Sequence, residues 1–302
     1  MKKEDSFEAL IEKLPEDYRR LLKYLGPEET ELLEEIRIKA GEKILLAGGF
    51  GEIVSDIEVS REGIASAVDS LLEHSVYAHM DELCSGYVTA SGGHRIGICG
   101  KAVSENGRIK NIKDFSSLNI RRSREIRGCG EKVKKYIIGR NGEFLNTLVV
   151  SPPKCGKTTL LRDIVRQLSE EGFRISLVDE RSEIGALYKG IPGHNVGMRT
   201  DIMDSCGKQE GIILMVRSMS PDIVCTDEIG SPGDGEAIKE AVKSGVGILT
   251  SVHGSEFEEL KNSKISELIR ERIFERYIFL SAVPEVGTVS GILDRDGKKI
   301  YG

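Results

Sequence analysis

The sequence predicts an α/β protein, a core built on a mostly parallel sheet and preceded by a smaller α+β domain. Three observations predict it. From Glu143 onward, short apolar strands alternate with helices, the pattern of a parallel sheet covered on both faces. Before that point, short helices give way to a strand-rich stretch punctuated by glycine. The length, 302 residues, suits two domains, each able to bury its own core; the divisions read here are 1–142 and 143–302.

The elements follow in order. Residues 6–25 read as helix, with Phe7, Leu10, Ile11 and Leu14 recurring at helical spacing and an interruption at Pro15. Residues 28–36 and 61–76 also read as helices, and ILLAGGF (44–50) as a strand entering a turn. GYVTASGGHRIGICGKAV (86–103) alternates around Gly92-Gly93, a hairpin signal, and RIKNI and SSLNIRR (108–122) continue the strand pattern. IGRNG (138–142) reads as the linker. In the second domain TLVV (147–150) is a buried strand, 157–170 a helix, and FRISLVDE (173–180) a strand, followed by an irregular stretch to about 206. Helices at 208–219, 235–244 and 255–272 then alternate with strands PDIVCTDE, VGILTSVHG and RYIFLSA, and TVSGILDRDGKKIY closes with a hairpin. There is no internal repeat and no low-complexity tract.

Composition excludes several classes. Apolar content of 39% and charged content of 30% are those of a soluble globular protein, and a net charge of −6 argues against a protein built to coat nucleic acid. The charge is unevenly placed: residues 1–82 carry 20 acidic and 10 basic side chains, residues 83–142 carry 4 and 13. Either the two stretches neutralise each other, or the basic one faces an anion. Six cysteines, none in a CxxC pair, indicate neither a zinc site nor a disulfide framework and fit idle thiols in a reducing cytosol. MKKEDSFEALIEKLPED is too acidic for a secretory signal, and no apolar run reaches the length of a membrane span. The expected location is cytoplasmic, with any work at a membrane done through a partner.

The chemistry concentrates in SPPKCGKTTLLRD. It follows a predicted strand and opens a predicted helix, the context that a phosphate-binding loop requires. Such a loop, here Ser151, Pro152, Pro153, Lys154, Cys155, Gly156, Lys157, Thr158 and Thr159, surrounds phosphates with backbone N–H groups and a helix N-terminus. Lys157 would reach the β- and γ-phosphates of ATP, and the Thr158 hydroxyl would ligate Mg²⁺. Gly156 lets the backbone approach. Ser151 stands where the pattern has its first glycine, which is tolerable if its φ stays negative. Cys155 reads as a small filler.

A second acidic element is expected at a neighbouring strand end. PDIVCTDEIG supplies Asp227, to hold Mg²⁺ directly or through water, and Glu228, to orient or polarise the attacking water. LVDERSEIG is another strand ending in acids: Asp179, Glu180 and Glu183 either point into the ligand crevice or make surface ion pairs with Arg181 and its neighbours. A lone histidine is commonly a structural hydrogen-bonder. His253 ends the strand in TSVHG, beside the expected γ-phosphate, where a sensing role opens.

Together, RSMSPDIVCTDEIG and EAIKEAVKSGVGILTSVHG resemble the Walker B and histidine boxes of the type II/type IV secretion ATPases, a RecA-like P-loop family, and DERSEI falls at its acidic "Asp box". GGHRIGICGKAV and SSLNIRRSREI extend the resemblance over nearly the whole chain, weakest in residues 1–80, toward a branch of that family that acts in sporulation in endospore-forming bacteria. The chain departs from the family at Ser151, and in following Glu228 with Ile229-Gly230 where the secretion ATPases commonly have E-x-R. It also lacks the long C-terminal arm of the larger members. The resemblance implies an ATPase working as a hexameric ring on membrane-protein channel components at the cytoplasmic face. For the sporulation branch that is the mother-cell side of the forespore envelope. It also implies arginines contributed by the N-terminal domain to the nucleotide pocket. The matching residue is Arg121, with Arg122, and Arg95 and Arg124 behind them, which would give the basic stretch its anion. Two alternatives stand beside this reading. A nucleic-acid-stimulated RecA-like motor is weakened by sparse aromatics, so no nucleic acid is expected as a partner. A nucleotide-gated assembly protein would bind ATP with little turnover. An acceptor-binding lid of the kind a small-molecule kinase needs is not evident.

Overall fold

The structure, a computed structural model, describes residues 7–84 and 86–302. They group into two compact units: the chain up to Arg124 together with Leu187–Gly193, and Glu125–Ala186 together with His194–Gly302.

The N-terminal unit starts with α1 (Phe7–Ile11), α2 (Glu16–Arg19), a 3-10 turn (Arg20–Tyr24) and α3 (Pro27–Leu32). Its sheet holds β1 (Leu33–Lys39), β2 (Lys43–Gly48), β3 (Gly51–Glu58), β4 (Tyr87–Thr89), β5 (Arg95–Glu105) and β6 (Arg108–Arg121), with α4 (Arg61–Leu71) and α5 (Met80–Cys84) between β3 and β4. The order is β3-β2-β1-β6-β5-β4 and each pairing is antiparallel. Ile36, Ile38, Ile96, Ile98, Leu118 and Ile120 alternate onto one face and bury against Phe7, Leu10, Ile64 and Val68. The expected helix over 28–36 is therefore half right. It ends at Leu32, because Ile36 and Ile38 carry strand alternation into the core. The expected helix start at Ser6 lies outside the described residues.

The second unit opens with α6 (Glu131–Ile137). Val133 and Ile137 of that helix join the apolar cluster of Val149, Leu160 and Ile164, so IGRNG, read as the join between domains, is a turn inside this unit. Then come β7 (Thr147–Ser151), α7 (Lys157–Glu170), β8 (Ile175–Asp179), the short ribbon β9 (Leu187–Tyr188) and β10 (Ile191–Pro192), and β11 (Thr200–Asp204). The ribbon groups with the N-terminal unit. The remainder is α8 (Lys208–Met219), β12 (Ile223–Glu228), α9 (Pro232–Lys243), β13 (Gly247–His253), α10 (Phe257–Leu260), α11 (Ser266–Arg270), β14 (Arg276–Ser281), β15 (Thr288–Asp294) and β16 (Lys299–Tyr301).

The large sheet runs β11-β8-β12-β13-β7-β14-β15-β16, parallel from β11 to β14 and antiparallel beyond. β7 and β8 are buried at every residue, which is why they read as continuous apolar runs. α7 buries Leu160, Leu161, Ile164, Val165 and Leu168, each worth roughly 1.5–3 kcal/mol of burial. Two elements differ from expectation. The irregular stretch to about 206 contains the edge strand β11. The single helix over 255–272 is two short ones: the Ser263 hydroxyl donates to the Leu260 carbonyl and accepts from the Ile265 amide, turning the chain between them.

Candidate active site

Strands of a parallel sheet end on the same side, and that edge is where ligands bind. Here β7, β8, β12 and β13 deliver Ser151, Asp179, Glu228 and His253 to it. Ser151 is the last residue of β7, in register with His253. The left-handed backbone positions of the following loop are Lys154, φ 61°, and Gly156, φ 87°. A loop that bends there and runs into the N-terminus of α7 turns successive amides inward. The backbone freedom that a first glycine would supply is not used at Ser151, which lies in extended strand. Cys155 is buried, its thiol directed at the Pro153 carbonyl, while Pro152, Pro153 and Lys154 are exposed. Thr158 and Thr159 open α7, half-buried.

Lys157 reaches back over the loop. Its ammonium donates to the Ser151 carbonyl (3.1 Å), the Pro152 carbonyl (3.4 Å) and His253 Nδ1 (3.0 Å). With Nδ1 accepting, Nε2 carries the ring proton and donates to Glu228, 2.7 Å away. Lys157, His253 and Glu228 thus form one polar chain across the ends of β7, β13 and β12. Burial lowers the Lys157 pKa, and the charges of Glu228 and Cys155 oppose that shift.

A second cluster lies beside it. Asp227 is buried, and burial raises its carboxyl pKa to about 6 against the opposing pull of Lys208, whose ammonium is 3.0 Å away. Lys208 also pairs with Glu180. A cleft of about 830 Å³ opens here, lined by Glu180, Lys208, Ile213, Leu214, Arg217 and Asp234 among others. Glu180 is therefore joined to Asp227 through Lys208, and Glu228 is the acid joined to Lys157. Asp179 is buried and structural: its carboxylate accepts the amides of Glu183 (2.9 Å), Ile184 (3.0 Å) and Gly185 (2.8 Å), folding the acidic loop. Arg162 of α7 donates to the carbonyls of Glu183 and Ile184, tying that loop to the phosphate-loop helix.

Lys208 is the residue that sequence reasoning missed. CGKQEG carries no signal that separates it from any lysine at a helix start. The arginines of SLNIRR lie in the N-terminal unit. Arg122 donates to the Thr30 carbonyl (2.8 Å) and sits over Phe7, and Arg124 donates to the Glu31 and Leu33 carbonyls, so both brace their own unit. Arg121 is exposed and pairs in register with Arg95; with Arg37 and Lys39 they line a cavity of about 420 Å³.

Among the described residues no group of three or more His, Cys, Asp or Glu is placed to hold a metal ion by itself. Mg²⁺ keeps waters and takes one or two protein oxygens beside substrate phosphates. The hydroxyl of Thr158 and the carboxylate of Asp227 are donors of the right kind. No helix among the described residues is long and apolar enough to cross a membrane.

The sequence model of the family described as "Sporulation stage III, protein AA" matches residues 2–300. The chain is 38% identical over 295 residues to the stage III sporulation protein AA of Bacillus subtilis (strain 168), covering 95% of each. Among solved structures it is similar to the Legionella pneumophila ATPase DotB, with a TM-score of 0.58 at 16% identity over 88% of this chain and 76% of that one. It is likewise similar to the pilus retraction motor PilT with bound ADP, TM-score 0.59 at 13% identity over 86% and 76%. At these identities the structural likeness shows the fold, the RecA-like P-loop core of the secretion ATPases.

Proposed function

The chain belongs to the sporulation stage III, protein AA family, and on that premise we propose that it is a secretion-type ATPase, converting ATP and water to ADP and phosphate. The observation that carries this reading is the Lys157–His253–Glu228 chain at the mouth of a glycine-turned loop on a parallel sheet. Lys157 exchanges its loop carbonyls for the β- and γ-phosphate oxygens. The α7 amides and Gly156 wrap the phosphates. Glu228 accepts a hydrogen bond from the attacking water and aims it in line at the γ-phosphorus; the bond to the β–γ bridging oxygen breaks and ADP leaves. His253, bonded to both Lys157 and Glu228, senses whether the γ-phosphate is present. Thr158 and Asp227 would hold Mg²⁺, which would supply positive charge beside the phosphates. Arg121 of the basic stretch is the arginine proposed to neutralise charge in the transition state.

The reading extends to a hexameric ring that docks on membrane-protein channel components and powers assembly or transport between mother cell and forespore. Support comes from the family membership and from the fold shared with a pilus retraction motor. Glu228→Gln separates chemistry from binding. It is expected to bind a non-hydrolysable ATP analogue like wild type and to release phosphate roughly 10²–10⁴-fold more slowly. Unchanged release would remove Glu228 from its role. A wild type that binds ATP but releases no phosphate would be a nucleotide-gated assembly protein instead.

A further inference from the structure

We propose that the loop 282–287, between β14 and β15, is the shelf on which the base of the nucleotide rests, with Val286 and Val283 as its contact residues. The proposal rests on the nucleotide reading above and adds the end of the ligand that the phosphate loop does not hold.

The sheet order sets the direction of the ligand. Glu228 and His253, the groups suited to the γ-phosphate, end β12 and β13, and both strands lie on one side of β7 in the order β12-β13-β7-β14. A nucleotide with its terminal phosphate on that side and its phosphates along the loop after β7 carries its sugar and base away on the other side. That is the side of β14. β14 is parallel to β7, so the segment leaving its C-terminal end emerges at the same edge as the phosphate loop.

The segment touches that loop. A Cβ placed on Gly156 would lie 3.4 Å from Gly287 Cα and 3.5 Å from Val286 Cγ1. Val286 is nonetheless 65% exposed, and Val283 76%. The segment is braced from within: the Val283 amide donates to the Ser281 hydroxyl (3.0 Å) and the Thr288 hydroxyl donates to the Glu285 carbonyl (2.7 Å). Two apolar side chains are thus presented to water on a tied loop, and one of them, Val286, lies against the residue where the phosphate cradle opens. A purine ring offers flat, weakly hydrated faces, and laying one there removes that apolar surface from water.

The test compares two ligands by titration calorimetry on the full chain: ATP, which has a base, and inorganic tripolyphosphate, which has none. Val286→Asn is expected to weaken ATP binding roughly tenfold, the order of 1.4 kcal/mol for lost apolar contact, and to leave tripolyphosphate within about twofold of wild type. Val283→Asn is expected to act in the same direction. Both positions are exposed, so the fold should tolerate the changes. ATP affinity equal to wild type in both variants overturns the proposal. Equal weakening of both ligands also overturns it, because the loop would then support the phosphate cradle and not the base. A wild type that binds neither ligand removes the nucleotide reading itself, and the shelf with it.

Discussion

Lys208 lies almost buried between the carboxylates of Asp227 and Glu180. Asp227 has its pKa raised by burial to about 6, so its charged form lowers native stability as the pH rises through that value, and Lys208 limits the loss. Lys208→Met removes the compensation and pushes the carboxyl further up. The variant should melt below wild type by more at pH 8 than at pH 5, with a cost approaching about 3–5 kcal/mol at the higher pH. An equal deficit at both values would show that packing, and not the ion pair, is lost. Glu73 has the opposite sign. The donors Lys189, Lys13 and Tyr188 lower its carboxyl pKa to about 2 from 4.5. Its contribution is present above about pH 4.5 and fades as the pH falls toward 2. Glu73→Gln should therefore melt slightly lower than wild type at pH 7, by less than about 1 kcal/mol for so exposed a cluster, with the gap closing by pH 2. A gap that stays constant with pH would contradict the assignment. The grouping of side chains was legible at this scale where residue type coincides with the end or start of an element, as for Glu228 and His253 at the ends of β12 and β13 and Lys157 at the start of α7. It was not legible for Lys208, whose partners are 28 and 19 positions away along the chain.

Besides their apolar core, the elements that position the site are tied by a few buried polar contacts. Asp163, buried on α7, accepts the Gly130 amide (2.7 Å) and the Gln167 amide nitrogen (2.8 Å) and pairs with Arg166 (2.6 Å). It thereby fixes the start of α6 to the phosphate-loop helix. Asp163→Ala strands these donors and should lower the urea midpoint by the equivalent of roughly 2–4 kcal/mol. A change within error would mean α6 is held by Val133 and Ile137 alone. The same helix shows what a sequence tells about elements. α7 was readable from end to end because its apolar residues repeat at helical spacing over four turns. β1 was hidden because LLEEIRIK satisfies helical and strand spacing over the few residues available, and only the tertiary core decides between them. β11 was hidden for another reason. TDIMD is a half-exposed edge strand with no apolar run, and it is a strand because β8 offers it a parallel partner.

At the scale of the molecule, the two-part architecture and the mostly parallel sheet could be read in advance from the change of pattern along the chain. The excursion of residues 187–193 into the N-terminal unit could not, since seven residues carry no folding signal of their own. The ring is the proposal that belongs to this scale. Light scattering on the eluting protein should give a mass six times that of the chain when a non-hydrolysable ATP analogue is present. A strict monomer with and without the analogue would contradict it. The central claim, that Ser151 to Thr158 is a working phosphate cradle despite its missing first glycine, is tested most directly by steady-state phosphate release from MgATP by wild type and by Lys157→Ala. The account predicts measurable release by wild type and a loss on the order of 10²-fold or more in the variant. Equal rates in the two proteins would contradict it.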